Sequence, residues 1–222
     1  MPDDHEAEKT EARLLQVALR QFGENGFQGV SIRSLSKAAS SSVSAIDYHY
    51  GGKLGLYLAT AEYAGSIIGE RLSAALTGAV PATDLTVDAA CRELETILVT
   101  YLRYFLSPDS DAMSLFVMRE QMQPTEAFDI LYERTFRPIA DRIIALITRI
   151  SNGAISDEQA RMRFLLMFGQ GLMFRVSRQS ALRIMGWNAI TEDYAASIEQ
   201  TLQAHCKAIL DALRAEGEMH AI

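Results

Sequence analysis

Apolar residues recur every three or four positions along almost the whole chain, and no stretch keeps the strict alternation of a half-buried strand. Leu14, Leu15, Ala18, Leu19 and Phe22 share one face of a helix expected to open at Thr10, and Asn25 with Gly26 tolerates a left-handed stop. Ser31 is a good N-cap for Ile32, Leu35 and Ala39, a short apolar stripe that ends in Ser40, Ser41 and Ser42. A third short helix is expected over 42–50, and Gly51 with Gly52 breaks it before a long helix over 53–76.

The same rhythm continues downstream. Val87, Cys91, Leu94, Leu98, Tyr101 and Phe105 mark one helix, and Ser107 with Pro108 ends it. Another covers 109–123, and Pro124 opens one that carries Phe128, Leu131, Phe136, Ile139, Ile143, Leu146 and Ile150, with a bend expected at Pro138. A helix over 157–178 is apolar nearly all round, through Leu165, Leu166, Met167, Phe168, Leu172, Met173 and Phe174, and is therefore expected to be buried. After a loop at Trp187, the last helix spans 191–215 with Ile198, Leu202, Ile209 and Leu213 inward. The predicted class is all-α: a disordered tail over 1–9, a three-helix domain over 10–56 and a helical bundle over 57–222.

Composition agrees with a folded chain, since 49% of the 222 residues are hydrophobic and only five are proline. The net charge of -7 speaks against a nucleic-acid binder that works by bulk electrostatics. Over 26–60, however, Arg33, Lys37 and Lys53 face Asp47 alone, a small basic island in an acidic protein. Cys91 and Cys206 lack the spacing of a disulfide framework or zinc site, which suits a reducing cytoplasm, and no stretch is long and uncharged enough to span a bilayer. A cytoplasmic protein without metal, cofactor or membrane partner is expected.

Projected at helical spacing, Val43, Ile46 and Tyr50 form one face of the third helix, and Ser44, Ala45, Tyr48 and His49 the other. The first face can pack while the second enters a major groove, which is wide enough for a helix. Ser44 can hydrogen-bond a base edge and Ala45 can touch a thymine methyl. Tyr48 and His49 have the reach for phosphates, and Lys53 with the free amides of the long helix makes an anion site. Arg33 is a second clamp or base reader, and Ser31 and Ser42, at the starts of the two helices, complete the expected contact set.

The run from Ala39 to Lys53, with its small-residue turn and its Tyr48-His49-Tyr50-Gly51-Gly52-Lys53 ending, resembles the DNA-binding domain of the TetR/AcrR repressor family. The form Tyr-His-Tyr-Gly-Gly-Lys-x-Gly-Leu-Tyr is most similar to the CecR-like branch, as are Arg119-Glu120-x-x-x-Pro124, Arg137-Pro138 and Gly169-Gln170 further on. Two positions depart from the family pattern. Ser40 stands where the family has Gly, and Asp47 where it has Asn or Tyr; a carboxylate there repels phosphate but can accept from cytosine N4.

The resemblance implies a C-terminal effector pocket and a homodimer whose last two helices pair with their copies. Met113, Phe116, Met118, Met122, Met167, Met173 and Phe174 suit a cavity with adaptable walls, although ordinary core packing explains them as well. Arg119, Glu120, Gln170 and Arg175 are polar positions able to orient a ligand, or else structural bridges. The expected function is that of a dimeric, ligand-released repressor on a palindromic DNA operator. A helical enzyme is the rival from another class, without a nucleophile-base pair, phosphate loop or metal spacing to support it; a protein-docking helix-turn-helix is a second.

Overall fold

A computed structural model of the chain describes residues 3–73 and 80–220, and the described residues form eleven α-helices and no strand. Helix α1 (Asp3–Gly29) is helical from Asp3 rather than Thr10. Its regular course breaks at Gly26, whose φ of 71° and ψ of 170° lie in a region open to glycine alone. Helix α2 (Ile32–Ala38) opens on a reciprocal cap, in which the Ser31 hydroxyl accepts from the Ser34 amide and the Ser34 hydroxyl accepts from the Ser31 amide. Helices α3 (Val43–Tyr50) and α4 (Lys53–Ser73) follow; the end expected for α4 near 76 lies outside the described residues.

Helix α5 (Val87–Leu106) leads through a 3-10 turn to α6 (Asp111–Met122). The single bent helix expected over 124–150 is α7 (Glu126–Leu131), a π-helical turn at Tyr132–Phe136 and α8 (Arg137–Ile150). Pro138 has no amide to donate, and its ring would strike the carbonyl four residues back, so the helix widens ahead of it. Helix α9 (Asp157–Val176) starts on a Ser156/Gln159 capping box. Residues expected to be loop form α10 (Arg178–Met185), closed by Gly186 in the left-handed region. Helix α11 (Glu192–His220) runs past residue 215, and Trp187 stacks on Tyr194 near its start at 4.0 Å.

The chain divides into two compact units, one from 1–69 with 109–136 and the other from 70–108 with 137–222. In the first, α1 packs along α6, and Leu14, Ala18, Phe22, Leu35, Ile46, Leu56, Phe116 and Leu131 are buried. The rings of Phe22, Phe27, Tyr57 and Phe116 meet at its centre, with centroids 4.8 to 6.2 Å apart. In the second, α5, α8, α9 and α11 bury Leu94, Leu98, Leu102, Ile143, Leu146 and Leu210. A bidentate pair of Arg142 with Glu93, at 2.7 and 2.8 Å, ties α8 to α5, and Arg142 also donates to the Val80 carbonyl.

The expectation that α9 is buried on every side is corrected. Only Ala160, Met167 and Gly171 of this helix are buried, and Leu166 is 67% exposed. Met162, Leu165, Leu166, Gly169, Met173 and Val176 fall within about 100 degrees of arc at 3.6 residues per turn, opposite the buried three. Apolar composition marks a helix as suited to burial without fixing which of its faces this chain's own segments cover.

Candidate nucleic-acid interface

Local chemistry holds α3 in place. The Ser42 hydroxyl accepts from the Ala45 amide at 3.0 Å, fixing the first turn, and at the other end Gly51, left-handed at φ 68°, returns its amide to the Asp47 carbonyl at 2.9 Å. Ile46 is fully buried beneath the helix. The Tyr50 hydroxyl donates to Glu11 on α1 at 3.1 Å, and burial, then the Glu11 charge, pushes its phenol above the ordinary range. The turn between α2 and α3 passes through Ser40 at φ 50°, and its carbonyl accepts from Arg13 at 3.4 Å.

With that side anchored, Ser44, Asp47, Tyr48 and His49 are exposed, and Ala45 is half-buried. Tyr48 is 85% exposed and meets the His49 ring edge-on at 5.0 Å. Val43, expected on the packed face, is partly open at the helix start. Arg33 and Lys37 lie exposed on α2. The hydroxyls of Ser31 and Ser42 use a lone pair as caps and keep their protons to donate. The Lys53 ammonium sits 4.4 Å over the Phe27 ring, a cation-π contact that holds it at the start of α4.

The spacing of α3 and α4 depends on Gly55, where a Cβ would lie 1.6 Å from the Tyr50 carbonyl oxygen. No side chain larger than hydrogen lets Lys53 come so near the end of α3. The arrangement is an open helix face of small and aromatic side chains, flanked by cations and by the amides of a helix start. Such a face can lie in a major groove with its flanks on phosphates.

Residues 14–60 match the family described as "Bacterial regulatory proteins, tetR family", and residues 90–213 match the C-terminal domain of the "HTH-type transcriptional dual regulator CecR". A relative of that name from Shigella flexneri is 30% identical over 212 residues, 93% of either chain. The chain belongs to the TetR family. Among solved structures, a TetR-family regulator from Streptomyces coelicolor matches with a TM-score of 0.65 at 19% identity, covering 93% of this chain and 97% of its own. A transcriptional regulator from Pseudomonas aeruginosa matches at 0.69 and 17%, covering 96% and 94%. AibR, solved with isovaleryl coenzyme A and operator DNA, matches at 0.62 and 13%, covering 86% and 95%. As a TetR-family member the chain is a DNA-binding transcriptional regulator and not an enzyme.

The expected ligand residues fall in both units of this TetR-family chain. Met113, Phe116, Arg119 and Glu120 lie on α6 in the first, and Met167, Gln170, Met173 and Phe174 on α9 in the second. Met113 and Phe116 are core side chains. Glu120, 1% exposed, accepts from the Tyr57 hydroxyl and from the amide and hydroxyl of Thr125. Arg119 donates to the carbonyls of Gly23 and Glu24, the last turn of α1 before its break. In the second unit Met167 is buried, Met173 is 57% exposed, Phe174 is half-buried and Gln170 bonds His205 at 2.8 Å.

One buried group escaped the sequence reading. The Tyr101 hydroxyl in the second unit has no hydrogen-bond partner among the described residues, and leaving such a donor unpaired costs about 1–3 kcal/mol. In the helical repeat Tyr101 looks like any core aromatic.

Proposed function

We propose that this regulator acts in the cytoplasm as a homodimer, inserts α3 of each copy into the major groove of a palindromic operator, and lets go when a small apolar or amphipathic effector binds. The single observation behind the DNA contact is the asymmetry of α3: its inner side is tied down through Ile46 and Tyr50 while Ser44, Tyr48 and His49 stay open. Ser31, Arg33, Ser42 and Lys53 are the flanking contacts in this reading, and Ala45 the methyl contact.

Support for the dimer comes from α9 and α11. The apolar stripe on α9 is matched on α11 by the exposed Thr201, Ala204, Ala208, Ala212 and Ala215, which also share one face. Small residues on one helix beside large apolar ones on the next suit a self-complementary four-helix contact about a two-fold axis. Two recognition helices would then stand about 34 Å apart, one turn of B-DNA. An effector that prefers the released conformation about a hundredfold supplies about 2.7 kcal/mol of coupling, enough to shift operator occupancy.

Selection of bound genomic fragments, followed by gel shifts over a salt series, tests the reading. Tyr48→Ala and Lys53→Ala are expected to weaken binding to all sequences, and Ser44→Ala to change sequence preference. Unchanged affinity in all three variants, or binding indifferent to salt, defeats the assignment, because phosphate contacts release counterions. A monomer by sedimentation at working concentration defeats the dimer.

A further inference from the structure

Tyr101 is 5% exposed, and its hydroxyl is shut off from solvent without a partner among the described residues. Its ring lies 3.8 Å from the Phe168 ring and 4.2 Å from that of Phe105, and Phe168 continues to Phe164 at 5.5 Å. Tyr101, Phe168 and Phe164 form a chain from a buried phenol on α5 to half-buried side chains on α9, which Phe105 joins at Tyr101. Buried tyrosines nearly always find a partner for the O–H, since phenylalanine fills the same space without the penalty. Burial also pushes this phenol well above its ordinary pKa, so it remains a neutral donor that calls for an acceptor.

The surroundings limit what can bring that acceptor. The Tyr101 ring already contacts those of Phe105 and Phe168, and aromatic rings favour a flat partner in offset or edge-on contact. Access is available along the flank of α9, because the side chains of Phe164 and Phe168 are partly in solvent and lie outside the arc of the apolar stripe assigned to the dimer.

We propose that Tyr101 is the polar anchor of a ligand site for an uncharged, flat aromatic compound bearing one acceptor oxygen, which displaces Phe164 and Phe168 and accepts from the Tyr101 hydroxyl. The site rests on the effector-release reading and gives that effector a chemical class.

The test compares naphthyl methyl ketone with ethylnaphthalene, similar in size but lacking the acceptor, titrated into the full-length wild type and Tyr101→Phe. The ketone is expected to bind the wild type saturably and about fivefold more weakly to the variant, while the hydrocarbon changes by no more than about twofold. The variant should melt no lower than the wild type, because it loses an unpaired hydroxyl and no packing. No saturable binding of the ketone to the wild type, or equal ketone affinity in both proteins, overturns the site. An equal loss for ketone and hydrocarbon does so too. Tyr101-dependent binding that leaves an operator complex intact keeps the site and refutes effector release; equal release from both proteins by the ketone does the reverse.

Discussion

The Tyr57 hydroxyl donates to the carboxylate of Glu120, a buried hydrogen bond that joins α4 to α6 across 63 residues of chain. Burial, then the bond to Glu120, holds this phenol above its ordinary range, so it stays a donor. Hydrogen bonds to charged groups contribute about 1.5–3 kcal/mol, so Tyr57→Phe is expected to lower the stability of the first unit by that amount in urea unfolding. In a double-mutant cycle with Glu120→Gln the two changes should couple by about 1 kcal/mol or more. Simple additivity would mean that the pair does not act as a unit.

Ser40 occupies the left-handed region at φ 50°, where a Cβ costs about 1 kcal/mol. Ser40→Gly relieves that strain, and the bond from Arg13 survives because its acceptor is the backbone carbonyl. The variant should be more stable than the wild type by up to about 1 kcal/mol, read as a higher urea midpoint at unchanged slope. A lower midpoint would show that the serine hydroxyl contributes something the turn geometry does not reveal.

Gly55→Ala should be far more damaging than its size suggests. The new Cβ would sit 1.6 Å from the Tyr50 carbonyl, forcing α3 and α4 apart at a cost of about 3 kcal/mol or more. Operator affinity should fall with it, since Lys53 would shift relative to Tyr48 and His49. Gly69→Ala on the same helix is the control: nothing among the described residues lies near its added Cβ, and helix propensity favours it by up to about 1 kcal/mol. Similar melting temperatures for the two variants would contradict the close crossing.

Cys206 gives stability an alkaline limit. Burial, then the nearby charge of Glu95, pushes its thiol up to about 11. The folded state thus holds a proton that the unfolded state has released, so this contribution is complete below the ordinary thiol range and lost as pH climbs through about 11. The raised phenols of Tyr50, Tyr57 and Tyr101 add a decline of the same sign from about pH 10 upward. Cys206→Ala should flatten the fall in unfolding free energy between about pH 8.5 and 11, whatever it does to the neutral-pH value. Equal slopes in wild type and variant would remove the thiol from the account.

Much of the first unit is legible one residue at a time, because caps and turn residues act over three or four positions. Ser31, Ser42, Gly51 and Gly26 each mark a helix boundary that the backbone adopts, and the Ser40 strain is visible once a left-handed turn is expected there. The exposed side of α3 follows from helical projection alone. By contrast, α10 is missed because its apolar residues are few, although Gly186 marks its end. The bend at Pro138 is foreseen, but its form as a π-helical turn is not, since several distortions relieve the same clash.

The sequence by itself determined the all-helical class, the helix-turn-helix and its outward side chains, because periodicity and capping are local properties of neighbouring residues. Tertiary structure decided which contacts those residues keep. Only the fold committed Arg119 to the end of α1 and Glu120 to Tyr57, left the Tyr101 hydroxyl without a partner among the described residues, and uncovered the apolar stripe of α9. The reason is physical: burial and pairing depend on what other segments bring to a side chain across tens of residues, and a helical repeat is the same whatever surface it meets.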